Sequence, residues 1–337
     1  MAGACGSNET HDDGAGSTEG SDDTEGTSPD VPTPATFENL CNSEPPAGAT
    51  LPPPLPVYDG VCPTLEPGRN TIVSSESERE LMLVVPKDLE AGERVPVFFL
   101  WHWLGGSANS FIERGDVQAA ADAFRFVAVV PEEKGDLGFR WPFTMLESEE
   151  RLEEELRFFD DMLACVAEQY TVNDSCVSSI GVSAGALWTA QLAQKRGEHL
   201  SSFLSLSGGT GTDPVRPWSG SSHVMPAMVL WGGPTDRCII DFNEVSRDLG
   251  AGLDEDGHLV LECVHNCAHG QPPFDVETSI TEFEPLWLFA LDHPYWLEPG
   301  TSPWQTGSSI PPEMPVWCAL GVGNAEIRDG ECGPSQC

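Results

Sequence analysis

The stretch Ile180-Gly181-Val182-Ser183-Ala184-Gly185-Ala186 constrains the fold more than any other part of the chain. A β-branched run, Cys176 to Ile180, leads into it, and a helical run, Leu187 to Arg196, leaves it. The chain must therefore turn sharply from a strand into a helix. Gly181 and Gly185 are small because strand and helix pass close to one another there. Ser183 is placed at the tip of the turn, in a strained backbone conformation.

Around this turn the hydrophobic pattern alternates between two periods. Leu81 to Val85, Val95 to Trp101 and Phe126 to Pro131 read as strands, the second apolar throughout and so buried on both faces. Residues 107–123 read as a helix. In 147–170, Leu152, Leu156, Phe159, Leu163, Val166 and Tyr170 repeat at steps of four and three, one apolar face of a helix. Glu149, Glu150, Glu153 and Glu154 cover its first turns as a solvated, dipole-favoured face. Further strands are expected at 203–206, 227–231 and 258–262, and further helices at 241–250 and 279–292. Strands alternating with helices imply an α/β domain with a mostly parallel central sheet and helices on both faces.

The flanks have a different composition. Residues 1–36 comprise a lipoprotein-like start and then, over 6–36, Gly, Ser, Thr, Asp, Glu and Pro, too polar to offset their ordering entropy and expected to be a disordered acidic spacer. Residues 37–70 form a Pro-rich lead-in with Cys41 and Cys62 and, by expectation, its own bridge. The α/β domain is expected over 71–297. A Cys-, Trp- and Pro-rich tail, 298–337, is expected to pack on the domain, tied down by disulfides.

Charge and cysteine content narrow the partners and the compartment. Sixteen Lys and Arg stand against 54 Asp and Glu, a net charge of −38. Nothing basic clusters to neutralise phosphates, which excludes a nucleic-acid partner and disfavours anionic membrane surfaces; the acidity reads as a solubility device. No apolar run reaches the ~18 residues of a membrane span. The 11 cysteines lack zinc-finger spacing, Cys263-x-x-x-Cys267 having no second pair. They read as a disulfide framework in an oxidising compartment, so an exported protein is expected. Their odd number singles out Cys5. Met-Ala-Gly-Ala-Cys-Gly-Ser looks like the end of a bacterial lipoprotein signal, whose charged and apolar parts would be expected upstream of this start. A lipid anchor at Cys5 is the single membrane contact expected, and it leaves ten cysteines for five bridges.

Ligands of open parallel sheets bind beyond the carboxyl ends of the strands. Three residues able to act together fall there in chain order: Ser183, Asp236 in Gly232-Gly233-Pro234-Thr235-Asp236, and His269 in Cys263-Val264-His265-Asn266-Cys267-Ala268-His269-Gly270. A serine hydroxyl needs an adjacent base, an imidazole suits neutral pH, and a carboxylate fixes the imidazole tautomer and stabilises its cation. Asp241 is the rival acid and His265 the rival base. Backbone N–H groups of Ala184 and Leu104 are expected to form an oxyanion hole, with Trp103 the second choice in the loop 102–106. His102 is expected to shape that loop. Cys238 and Cys267 each lie two residues from the acid or the base, so a Cys238–Cys267 disulfide is expected to staple the two loops, with Cys263 the alternative partner. Trp103, Trp141 and Trp218 are candidates for substrate contact.

With these pieces in place, the chain resembles the secreted polyhydroxybutyrate depolymerase and feruloyl esterase group of α/β-hydrolases. The matching residues are Trp101-His102-Trp103-Leu104-Gly105-Gly106, Gly181-Val182-Ser183-Ala184-Gly185, Cys263-x-His265-x-x-Ala268-His269 before prolines, and Leu291-Asp292-His293-Pro294-Tyr295. The resemblance covers roughly residues 71–318. It implies an α/β-hydrolase fold and a serine carboxylic ester hydrolase with Ser183, Asp236 and His269 as triad and an acyl-enzyme, needing no metal or organic cofactor. The partner implied is an ester substrate, small or polymer-linked, and a monomer is expected. Trp103 and Ala268 depart from the pattern, each standing where the group usually has Gly. A non-catalytic surface binding protein on this scaffold, or a serine peptidase of the same fold, are the competing readings.

Overall fold

Seven consecutive residues, Val95-Pro96-Val97-Phe98-Phe99-Leu100-Trp101, form a strand buried along its whole length. Because side chains alternate along a strand, this one feeds two separate cores. Val97, Phe99 and Trp101 join one, and Phe98 and Leu100 join the other. The sheet around it therefore has to be covered on both faces.

The structure is a computed structural model that describes residues 39–274, 280–305 and 310–333. All of these belong to the unit Phe37–Cys337. The sequence expectations for residues 1–36 and the lipid anchor at Cys5 lie outside the described residues.

In chain order the strands are β1 (Gly68–Ser74), β2 (Ser77–Val84), β3 (Val95–Trp101), β4 (Val127–Pro131), β5 (Val172–Val182), β6 (Ser202–Leu206), β7 (Ala227–Trp231), β8 (Arg237–Cys238), β9 (Ile240–Asp241), β10 (Val260–Val264) and β11 (Cys318–Leu320). Strands β8 and β9 form a small hairpin. The others make one nine-stranded sheet in the order β1-β2-β4-β3-β5-β6-β7-β10-β11. The six from β4 to β10 in that order run parallel. The pairs β1–β2, β2–β4 and β10–β11 are antiparallel.

The helices are α1 (Ala108–Arg114), α2 (Val117–Phe124), α3 (Glu149–Gln169), α4 (Ala184–Lys195), α5 (Phe242–Glu255) and α6 (Glu284–Asp292). Apolar residues of α3, α4 and α5 pack with Val97, Phe99 and Trp101, and those of α1, α2 and α6 with Phe98 and Leu100. This is the α/β-hydrolase fold expected from the sequence. The single helix expected over 107–123 is two, because Asp116 takes a left-handed φ of 45° between them. β1 and β11 were not expected from the sequence; they extend the sheet at its two edges.

Disulfides tie both ends of the described chain to the body, with pairings that correct two expectations. The lead-in has no bridge of its own, since Cys41 pairs with Cys176 in β5 and Cys62 with Cys165 in α3. The Cys238–Cys267 staple does not form either. Cys267 pairs with Cys332 and Cys263 with Cys318, while Cys238 is disulfide-bonded elsewhere. The reason lies in the tail, which returns along the loop after β10. The Arg328 N–H donates to the Val264 carbonyl (2.9 Å), and the Asn266 side-chain amide donates to the Gly330 carbonyl (2.8 Å). Cys332 is thereby brought within reach of Cys267.

Candidate active site

The turn after β5 has the geometry its glycines predict. A Cβ on Gly181 would lie 2.1 Å from the Gly185 carbonyl oxygen, and one on Gly185 would lie 2.1 Å from the Trp101 carbonyl oxygen. No side chain fits at either position, so the strand-to-helix reversal can be this tight only with glycine. Between them Ser183 holds φ 55° and ψ −118°, a conformation that costs a non-glycine residue on the order of 1–3 kcal/mol. Its N–H is held by the Leu206 carbonyl of the neighbouring strand (2.9 Å).

Three residues far apart in sequence meet at this end of the sheet. Ser183 Oγ lies 2.8 Å from His269 Nε2, and His269 Nδ1 lies 2.7 Å from Asp236 Oδ1. A carboxylate only accepts hydrogen bonds, so Nδ1 carries the imidazole proton, and Nε2 is left as an acceptor facing the hydroxyl. Asp236 is fully buried. Its second oxygen accepts from the Ser207 hydroxyl and the Gly232 N–H, both at 2.8 Å. These bonds satisfy the buried side chain and fix the oxygen that faces His269. Phe242 stacks on the His269 ring, centroids 4.1 Å apart and planes at 21°, and fixes its orientation. Chemically, the arrangement can accept the hydroxyl proton as Ser183 attacks an electrophilic carbon.

The rival residues have other tasks. Asp241 caps α5, accepting from the Glu244 N–H at 3.2 Å, and pairs with Arg237 at 2.8 Å. His265 is buried, its Nδ1 accepts from the Cys267 N–H at 3.1 Å, and burial pushes its pKa down to about 4. It organises the loop that carries His269. Ala268, where the resemblance expects glycine, takes φ 51°, in the left-handed region.

The loop after β3 is held by its own side chains. The Trp103 carbonyl accepts from the Gly106 N–H at 2.9 Å and from His102 Nδ1–H at 3.0 Å. That carbonyl shares one planar peptide with the Leu104 N–H, so fixing the oxygen on one side fixes the N–H on the other. His102 is fully buried, and burial lowers its pKa, keeping the ring neutral. Ala184 opens α4, so its N–H has no acceptor one turn back in the helix. Both N–H groups expected to hold an oxyanion belong to residues that line the same cavity as Ser183.

That cavity has a volume of about 420 Å³. Its wall includes Trp103, Phe111, Phe139, Phe143, Phe242, Phe274, Phe283 and Trp287, and among the described residues that line it Arg114 carries the permanent charge. The Arg114 guanidinium lies 4.9 Å from the Trp103 ring. Of the three tryptophans expected to contact substrate, Trp103 is in the wall and two are not. Trp141 is fully buried, edge-on to Trp101 at 5.2 Å, with its indole N–H on the His102 carbonyl at 2.9 Å. It is an anchor of the loop after β3. Trp218 stacks on Phe203, donates to Asp256 at 2.6 Å, and lines a separate polar depression with Asp248 and Asp256. Phe242, Ser207 and the α6 residues Leu286 and Trp287 were missed in the sequence. Spacing carried no signal for them, because they reach the site only through tertiary packing.

Comparison with known proteins agrees with the fold. No protein-family model matches the chain, and no curated protein does. Among solved structures, a pOPH variant in complex with DMSO aligns with a TM-score of 0.61 at 15% identity, covering 82% of this chain and 96% of that one. Native sOPH aligns with a TM-score of 0.59 at 17% identity, covering 81% and 99%. Native pOPH gives 0.58 at 17%, covering 82% and 97%. At such identities the likeness is one of fold.

Proposed function

We propose that the protein is an exported serine hydrolase of carboxylic esters. The observation that carries this reading is the unbroken relay from Ser183 Oγ through His269 to buried Asp236, at 2.8 and 2.7 Å, opening onto an apolar cavity. Ser183 Oγ attacks the ester carbonyl carbon while its proton passes to His269 Nε2. Asp236 steadies the imidazolium, and the N–H groups of Ala184 and Leu104 receive the developing oxyanion. His269 then returns the proton to the departing alkoxide, leaving an acyl group on Ser183. Water, deprotonated by the same imidazole, releases the acid and restores the hydroxyl.

The cavity wall supports an ester over a peptide substrate. Peptide N–H and C=O groups would be left unpaired against so many rings, whereas an ester presents no N–H. The disulfides support an oxidising compartment, and a lipid anchor at Cys5 and a monomeric state remain part of the proposal. The test is steady-state hydrolysis of p-nitrophenyl acetate and butyrate by the purified, folded protein. Turnover of both is expected; a folded protein that hydrolyses no ester would refute the reading.

A further inference from the structure

Ile239 is the single residue at the turn of the β8–β9 hairpin, between the pairs Arg237↔Asp241 and Cys238↔Ile240. It holds φ 62°, the left-handed region, which is a true outlier for a β-branched side chain. It is also 78% exposed. Folding alone explains neither feature, because glycine or asparagine would serve the turn without the strain. The hairpin is nonetheless rigidly held: Cys238 is disulfide-bonded, Ile240 is buried, and Asp241 caps α5. Ile239 lies three residues past Asp236 and lines the cavity that contains Ser183, as does Leu104, itself 37% exposed.

We infer that Ile239 determines specificity, resting on the esterase reading: it contacts an apolar chain of the substrate that extends beyond the cavity. Ile239 lines the cavity yet is largely exposed, which puts it at the mouth, where the end of a chain too long for a volume of about 420 Å³ would lie. Exposed apolar side chains there would remove part of it from water. The substrate class assigned is therefore esters with a long uncharged alkyl chain, on the acid or the alcohol side.

The experiment compares kcat/KM for p-nitrophenyl decanoate against p-nitrophenyl acetate, and for dodecyl acetate against ethyl acetate, in wild type and in Ile239→Gly, Ile239→Asn and Ile239→Val. In the Gly and Asn variants the long-to-short ratio should fall about fivefold to tenfold, through KM. Ile239→Val should retain it. The pair of esters whose ratio falls identifies the half of the substrate that carries the chain. Ile239→Gly should melt no lower than wild type, because the strain is relieved. Unchanged ratios in both pairs, or a Gly variant that melts well below wild type, would overturn the inference. Absence of turnover of every ester by wild type would instead refute the esterase reading on which it rests.

Discussion

Gly232 and Ala268 pass backbone against backbone: a Cβ on Gly232 would lie 1.8 Å from the Ala268 carbonyl oxygen. One residue belongs to the loop after β7 that carries Asp236, the other to the loop after β10 that carries His269. The strands are adjacent and parallel, with Trp231 opposite Val264, so the loops leave the sheet side by side. Their approach, together with the Gly232 N–H bond to Asp236 at 2.8 Å, sets the acid-to-base distance.

Gly232→Ala should therefore push the two loops apart. A displacement of about 1 Å at such a site costs on the order of 100-fold in rate. Kinetics of p-nitrophenyl butyrate hydrolysis should show most of the loss in kcat, in a variant that still folds by circular dichroism. A wild-type kcat would mean that the loops are positioned independently of this contact.

His102→Ala should lower kcat by roughly 10-fold to 100-fold with little change in KM. That is less than the 10²–10³ lost when an oxyanion donor is itself removed. The imidazole touches no substrate; it holds the Trp103 carbonyl at 3.0 Å and so the Leu104 N–H. Affinity for a boronic acid, which mimics the tetrahedral state, should fall in parallel with kcat. A loss confined to KM would assign His102 to substrate binding instead.

How far the sequence revealed this site depends on the residue. Gly181, Ser183 and Gly185 are legible because the turn they make is local, and close packing of strand on helix admits only glycine. Asp236 and His269 are legible from chain order and from their place after strands. The disulfides are not: Cys267 pairs with Cys332 of the tail, whose path is set by hydrogen bonds from Arg328 and Asn266 and not by sequence proximity to Asp236 or His269. β1 is hidden for a different reason. Its inward positions are Asn70, Ile72 and Ser74, and Asn70 bonds the Glu66 and Gly68 carbonyls, so the usual apolar alternation is absent. Trp141 looked like a ligand platform because it lies in a long loop, and burial against Trp101 removes it from the surface.

Stability should fall on the acid side. Burial depresses the pKa of His223, His265 and His293 to about 4, from about 6.5 in the unfolded chain. Between those values the unfolded chain binds more protons than the folded one, so stability drops as pH falls. Each histidine contributes up to roughly 3 kcal/mol of loss, complete only below its folded pKa. Asp160, raised to about 6 by burial, has the opposite sign over part of that range and offsets about one of them. Urea midpoints should decline between about pH 6.5 and about pH 4. A flat midpoint across that window would contradict the buried, neutral state of these rings.

Cys332→Ser should loosen the loop that carries His269, because the Cys267–Cys332 bridge closes a segment with a sequence separation of 65. Loss of such a bridge costs about 2–4 kcal/mol. Chemical denaturation should report that loss, together with a lower kcat at temperatures where the variant is still folded. Unchanged stability would mean that the hydrogen bonds of Arg328 and Asn266 hold the tail without it.

The central claim is that the Ser183 hydroxyl, activated by His269, is the attacking group. Its most direct test is the pre-steady-state and steady-state hydrolysis of p-nitrophenyl acetate by wild type and Ser183→Ala. Wild type should release p-nitrophenolate in turnover, and Ser183→Ala, with an unchanged melting temperature, should lose at least about 10³-fold in kcat. Turnover by Ser183→Ala at the wild-type rate would contradict the claim.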